Sequence, residues 1–295
     1  MTDLARPHRG TILLADATIV AAEHFEGAQH YLRLACPDLA ARCLPGNFVH
    51  LRCDHELPMR RPMSVMRASA AEGWLDVLYK AHGYGTGLLS SRAVGETLSV
   101  LGPIGQPFKL KGYRSRPLLI GGGVGIPPML FLAEHMRALG SATRALVLMG
   151  SEVPFPFRAR PSTFMVPGVP ADVIAAMPLL EDWHIASRLA SLAGFPGCYA
   201  GYVTDLARQW ITTSGVPRDD IEVFACGPTP MLRAVATLAA EFELPCQISL
   251  EEYMACAVGG CAGCTVKIET PNGAAMKRVC VDGPVFEART VVFSD

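Results

Sequence analysis

The sequence predicts three unlike units in succession: an antiparallel β-barrel, a doubly wound parallel sheet with helices, and a small cysteine-bearing C-terminal segment. Three observations carry this reading. Up to about Lys111 the apolar residues fall in short β-like runs punctuated by Gly, Pro and Asn, which argues for an antiparallel barrel. From about Tyr113 strand-like and helix-like stretches alternate, the pattern of a parallel sheet with crossover helices. Beyond Leu250 the chain sets Cys256, Cys261 and Cys264 as C-x4-C-x2-C, with Cys280 further on. The expected boundaries are 1–112, 113–246 and 247–295.

Composition limits what such a chain can be. Of 295 residues, 50% are hydrophobic and 18% charged, so two packed domains and an appendage are affordable and disorder is not expected. A formal net charge of −1 offers no electrostatic case for nucleic acid or an anionic membrane. Asp16 and Glu23 break the early apolar stretch, so no signal peptide is expected. No apolar run reaches the roughly 20 residues of a spanning helix. Ten cysteines in such a chain point to a reducing, cytoplasmic compartment, where clustered thiols serve metals rather than disulfides. The dispersed ones (Cys36, Cys43, Cys53, Cys198, Cys226 and Cys246) read mostly as small core residues.

In the first unit the runs are TILLADATIVAAEHF, HYLRLACP, NFVHLRCD, SVMRASA, GWLDVLYKAHG and GETLSVLGPIG. His50, Cys53 and His55 lie close in sequence, but an odd separation puts the two histidines on opposite strand faces, so a metal site is not expected there. In Arg60-Arg61-Pro62-Met63-Ser64, an arginine fork at a proline-stiffened strand start suits a diphosphate, and Ser64 offers a hydroxyl to a ring nitrogen. In His82-Gly83-Tyr84-Gly85-Thr86-Gly87, glycines precede a helix whose first amides suit phosphate oxygens. Tyr79 and Lys80, just upstream, join Arg61 to Ser64, Gly85 and Thr86 as candidate cofactor-binding residues.

The second unit begins with PLLIGGGVGIPPMLFLAEHMRALG, a buried strand, a glycine turn and a helix. Gly122 and Gly123-Val124-Gly125 allow a pyrophosphate to approach the backbone, and proline in the first helical turn costs no hydrogen bond. RALVLMGSE reads as the next parallel strand, and GYVTDLARQWI as a helix capped by Thr204 or Asp205. IEVFACGPTPMLRAVATLAAEF is a strand, the turn Cys226-Gly227-Pro228 and a helix. Both glycine turns fall at carboxyl ends of parallel strands, where ligands bind. Cys226 is therefore either a small polarisable group beside a nicotinamide ring or a buried strand-end cysteine. Glu152 lies where a ribose hydroxyl would be met, and Arg158 and Arg160 where a 2′-phosphate would be. Pro154 to Pro170, rich in proline and phenylalanine, reads as an extended excursion.

The cysteines of the third unit have the plant-type [2Fe–2S] spacing. Ala257, Gly259, Gly260, Ala262 and Gly263 keep the loop small, so that backbone amides reach the sulfurs of an anionic cluster. A four-cysteine zinc site would pair its ligands as two short knuckles, and a second knuckle is missing. Disulfides suit a secreted chain, which this does not resemble.

In this order RPMS, GYGTG, GGGVGIPP, CGPTPML and the cysteine series resemble the ferredoxin-reductase family of flavoproteins, across essentially the whole chain. The resemblance implies a barrel that holds FAD, with Arg61 on its diphosphate, Ser64 near the flavin N5, and Gly85 and Thr86 on the phosphates. It implies NAD(P) at Gly122–Gly125 and Cys226-Gly227-Pro228, with Ser64 and Cys226 as the catalytic pair. Met63 departs from the family pattern, which has an aromatic residue there. Residues 251–295 are too few for a complete ferredoxin domain. With their VCVDGPVF ending they look like the cluster appendage of electron-transfer subunits in two-subunit, NAD-linked dihydroorotate dehydrogenases. That implies a partner catalytic subunit carrying FMN, a heterotetramer, and the order FMN, [2Fe–2S], FAD, NAD in pyrimidine biosynthesis. The alternative is the reductase subunit of a sulfhydrogenase or of a ferredoxin:NADP oxidoreductase. A third reading is a zinc-stapled binding module that is not an enzyme.

Overall fold

The computed structural model describes residues 11–140 and 144–293. Residues 1–10, part of the stretch read for a leader, lie outside the described residues. Strands β1 (Leu13–Phe25), β2 (Gln29–Ala35), β3 (Phe48–Leu51), β4 (Arg61–Ser69), β5 (Trp74–Lys80) and β6 (Thr97–Ile104) close a barrel in the order β1-β2-β5-β4-β3-β6. All its pairings are antiparallel. Each expected run becomes one of these strands. Alternation explains why: Ala17 and Ile19 are buried while Asp16, Thr18 and Val20 are exposed. Register shifts between Ile19 and Ala21, Phe48 and His50, and Val65 and Arg67 are bulges that bend so small a sheet closed. Two short helices, α1 (Pro37–Ala40) and α2 (Tyr84–Ser90), join the strands. His50 is buried at 1% exposure, while the His55 side chain is 81% exposed, so the two are in opposite environments.

The second unit contains β7 (Arg116–Gly122), α3 (Ile126–Ala138), β8 (Leu146–Gly150), the short pair β9 (Arg160–Pro161) and β10 (Ala175–Ala176), and α4 (Pro178–Asp182). It continues with β11 (Ala186–Ala190), α5 (Val203–Thr213), β12 (Ile221–Cys226), α6 (Thr229–Glu241) and β13 (Cys246–Ser249). The C-terminal segment adds a hairpin, β14 (Thr265–Thr270) with β15 (Gly273–Arg278), and then β16 (Val285–Glu287). The main sheet runs β11-β8-β7-β12-β13-β16, parallel except for the antiparallel edge strand β16. Helix α3 packs on one face with Leu119, Val147 and Phe224, and α5 and α6 cover the other. The chain leaves β7 toward β8 on one side and later returns to β12 on the other. The topological switch point therefore lies between β7 and β12, at the two glycine turns.

Two local expectations change. Thr204 and Asp205 lie inside the first turn of α5, whose N-cap is Tyr202 with no side-chain cap bond. Strand β11, ASRLA in sequence, is not among the expected strands, because its buried Ser187 and Arg188 hide the apolar run. The Pro/Phe-rich excursion is pinned down: Glu181 accepts from Ser162 Oγ (2.7 Å) and the Thr163 amide (2.9 Å), and Arg188 donates to Phe164 O (2.5 Å). Between the first two units, Arg67 of β4 meets Glu134 of α3 at 2.5 Å, and its guanidinium stacks on Trp183 at 5.1 Å. No helix among the described residues is long and apolar enough to cross a membrane.

Candidate flavin cleft and cluster loop

One cleft of about 520 Å³ opens where all three parts of the chain meet. The barrel contributes Arg61, Pro62, Met63 and Ser64 from β4, Tyr79 and Lys80 from β5, and Thr86 from α2. Val124 and Thr229 come from the turns after β7 and β12. The segment from Ser249 to Met254, and Pro284, form the remaining wall.

The sequence pairs Arg60 with Arg61, and the structure separates them. Arg60 donates to His50 O, Ser99 O and Ser99 Oγ, which ties β3 to β6. Arg61 bonds only nearby carbonyls, of Met59 (3.0 Å) and Arg60 (3.1 Å), among the described residues, and faces the cleft. Its guanidinium lies against the start of α2, and a Cβ on Gly85 would stand 2.8 Å from its Nε. Thr86 holds that turn: its Oγ1 accepts from the His82 amide (2.7 Å) and donates to His82 O (2.9 Å). Tyr79 is 3% exposed, stacks on His30 at 5.4 Å, and its hydroxyl has no hydrogen-bond partner among the described residues. Burial, and then the charge of Cys53, push its pKa up. An orphaned hydroxyl, a guanidinium turned into the cleft and a cleft of this size fit a ligand with hydroxyls and a diphosphate. Met63 is buried at 6% exposure among barrel-core residues, which leaves it at the edge of the cleft rather than stacked across it.

The two glycine turns, about a hundred residues apart in sequence, press together at the switch point. A Cβ on Gly125 would sit 2.3 Å from Cys226 O, and one on Gly122 or Gly227 would strike Met231 at 2.4 Å. Gly123 has φ 54° and open space beside it. Pro228 is the N-cap of α6. Cys226 is fully buried, packs with Phe224 and Leu119, and is absent from the cleft lining. Burial, with the charge of Glu251 next, pushes its thiol well up, while the Ser249 side chain hydrogen-bonds to it. Glu152 and Arg158 are exposed, whereas Arg160 pairs with Asp182 at 2.5 Å.

In the cysteine loop the backbone turns left-handed at Ala257 (φ 55°), Gly259 (φ 80°) and Ala262 (φ 55°). Each alanine in that conformation costs about 1–2 kcal/mol, a strain retained where geometry is functional. The turns aim amides at sulfur: Cys261 N–H at Cys256 Sγ and Gly263 N–H at Cys261 Sγ, both 3.4 Å. Burial raises the Cys256 pKa, but hydrogen bonds from the amides of Cys261, Val258 and Gly260 outweigh it and bring the thiol down to about 7. Cys264 Sγ lies 3.4 Å from Cys280 Sγ. Burial, then the hydrogen bond and charge of Cys264, and further the charge of Cys256, push Cys280 up to about 12. The structure thus brings the cysteines together as two pairs, Cys256 with Cys261 and Cys264 with Cys280, and among the described residues no three of them are close enough to ligate one ion. Amide donors to sulfur nevertheless suit an anionic iron–sulfur cluster. Cys264 and Cys280 are buried while Cys261 is exposed, so one side of the loop faces solvent. Met254 lines the cleft, and Cys256 follows within a chain reach of at most about 7 Å.

The iron-sulfur cluster binding domain of dihydroorotate dehydrogenase B is the family that matches residues 251–292. Over 293 residues the chain is 32% identical to the dihydroorotate dehydrogenase B (NAD(+)) electron transfer subunit of Shouchella clausii, covering 97% of this chain and 99% of that one. The chain belongs to this family of electron-transfer subunits. The corresponding subunit of Desulforamulus reducens is 30% identical over 284 residues, covering 94% of this chain and 98% of that one. Among solved structures, the NADH-dependent reduced ferredoxin-NADP oxidoreductase, described for flavin-based electron bifurcation, superposes with TM-score 0.74 at 25% identity over 94% of this chain and 90% of its own. The ferredoxin-reductase-type fold, the oxidoreductase subunit and the iron–sulfur domain expected from sequence therefore hold. Sequence reasoning missed the wall formed by Glu251 to Met254 and Pro284. Pro284 lies in the GPVF ending already noted, but nothing local says that it faces a cleft.

Proposed function

We propose that this subunit passes electrons between NAD and an FMN-containing catalytic subunit that oxidises dihydroorotate in pyrimidine biosynthesis. The cleft would hold FAD, and Cys256, Cys261, Cys264 and Cys280 would hold a [2Fe–2S] cluster, which together would supply the electron path. What supports the reading is a cleft whose walls come from the barrel, the nucleotide turns and the segment leading into the cluster loop. Bound FAD supplies the exchange between a two-electron hydride carrier and a one-electron centre. Arg61 holds the diphosphate against the turn at Gly85 and Thr86, and Tyr79 donates its hydroxyl to the ligand. Pro62, Met63 and Lys80 shape the barrel wall around it. Ser64 presents its hydroxyl to the flavin ring. Val124 faces the nicotinamide ring from the glycine turn, and Cys226 backs that turn from within. Exposed Glu152 is available for a ribose hydroxyl and exposed Arg158 for a 2′-phosphate, whereas Arg160 is engaged by Asp182. The working form is a cytoplasmic heterotetramer with the catalytic subunit.

Cys256→Ser tests the separation of roles. Reduction of a dye by NADH through FAD should persist, and electron delivery to the catalytic subunit should stop. Loss of both activities in a folded, FAD-loaded variant would refute the reading. The likeness to the ferredoxin-NADP oxidoreductase favours a second reading, a subunit serving ferredoxin. Reconstitution with each partner, with NADH and with NADPH, separates the two.

A further inference from the structure

We propose that Arg278 and Asp282, which flank Cys280, set the electrostatic environment of the cluster and hold its two halves in register. Arg278 ends β15 just before Cys280. Its Nη1 donates to Gly259 O at 3.0 Å, in the middle of the loop that carries the other three cysteines. Its own carbonyl accepts from the amides of Val281 (3.1 Å), Asp282 (2.8 Å) and Gly283 (3.3 Å), which folds the chain around Cys280. Asp282 Oδ2 in turn accepts from the Arg278 amide at 2.8 Å and lies 3.6 Å from its Nε. Arg278 is thus bound to both segments that supply thiols. Gly259 permits this approach: a Cβ there would lie 2.6 Å from Val281 Cγ2 and 3.2 Å from Arg278 Nη1.

The consequence is electrostatic. A cluster with four thiolates is anionic and becomes more so on reduction, so a cation beside it stabilises the reduced form and raises its potential. Asp282 opposes that effect. The Arg278 and Asp282 side chains are 41% and 29% exposed, so solvent screens both in part. The idea rests on the cluster reading above, and the test separates the two.

The measurement is a redox titration of the whole FAD-loaded subunit, followed by EPR of the reduced cluster. Arg278→Gln should shift the one-electron equilibrium toward the oxidised cluster about tenfold, or ~59 mV. Arg278→Lys, which keeps the charge, should return most of that shift. Asp282→Asn keeps an acceptor for the Arg278 amide and should shift the potential the opposite way, which tests the charge even where Gln at position 278 lowers cluster content. Reduction of a dye by NADH should be the same in all of them. An unchanged potential in Arg278→Gln, or shifts of the same sign in the Gln and Asn variants, would overturn the proposal. A wild-type subunit with no reducible EPR signal would instead overturn the cluster reading beneath it.

Discussion

Replacing Tyr79 by Phe separates a hydroxyl that binds cofactor from one that is merely buried. The side chain is 3% exposed, lines the cleft, and has no partner for its hydroxyl among the described residues. That oxygen has no partner among the described residues, so removing it from the flavin-stripped protein relieves a penalty of about 1–3 kcal/mol. For a chain of this size each kcal/mol raises the unfolding midpoint by about 2–4 °C. If FAD is the partner of the hydroxyl, as proposed above, the same deletion lowers affinity: a loss of about 1.4 kcal/mol weakens binding tenfold. The two effects have opposite signs, and Phe preserves the stacking on His30, so packing loss is not a rival cause. Differential scanning of flavin-stripped protein reads the first, and a flavin-fluorescence titration the second. An unchanged FAD affinity, or a lower melting point for the flavin-free variant, refutes the reasoning.

Gly125→Ala should raise the KM for NADH and leave FAD content intact. Its Cβ would meet a backbone carbonyl at 2.3 Å, which cannot swing aside, and such overpacking costs about 1–3 kcal/mol; normal NADH kinetics would contradict this. Acid should weaken the barrel through His50. Burial, and then the charge of Arg60, hold its pKa down to about 4 from the usual 6.5. The unfolded chain takes the proton at the higher pH, so stability is full above 6.5 and is lost as pH falls toward 4. The loss totals about 3 kcal/mol. His50→Gln should flatten that part of a melting-temperature profile, and an equal acid loss in the variant would show that another group is responsible.

Much of the fold was legible because it rests on local periodicity. Alternation of period two marked each barrel strand, and glycine turns followed by apolar helix faces marked the βα units. Strand β11 escaped because Ser187 and Arg188, both buried, break the apolar run. The site was legible as motifs rather than as a place. The Arg60–Arg61 pair is an example: Arg60 lies just before β4 and Arg61 opens it, and only the packing against β3 and β6 decides which one reaches the cleft.

By itself the sequence determined the barrel, the doubly wound sheet and the four cysteines in their order, since each depends on composition and spacing within short windows. Tertiary structure decided the rest. It buried Cys226, the second of the two readings given for it, and brought Glu251 to Met254 into the wall of the cleft. It drew Val285–Glu287 back as an antiparallel edge of the main sheet. It also set Gln106 N–H on Gly283 O at 2.6 Å, which fixes the cluster segment to the barrel. These are pairings between residues far apart in the chain, and no local pattern records which distant backbone will satisfy a given hydrogen bond.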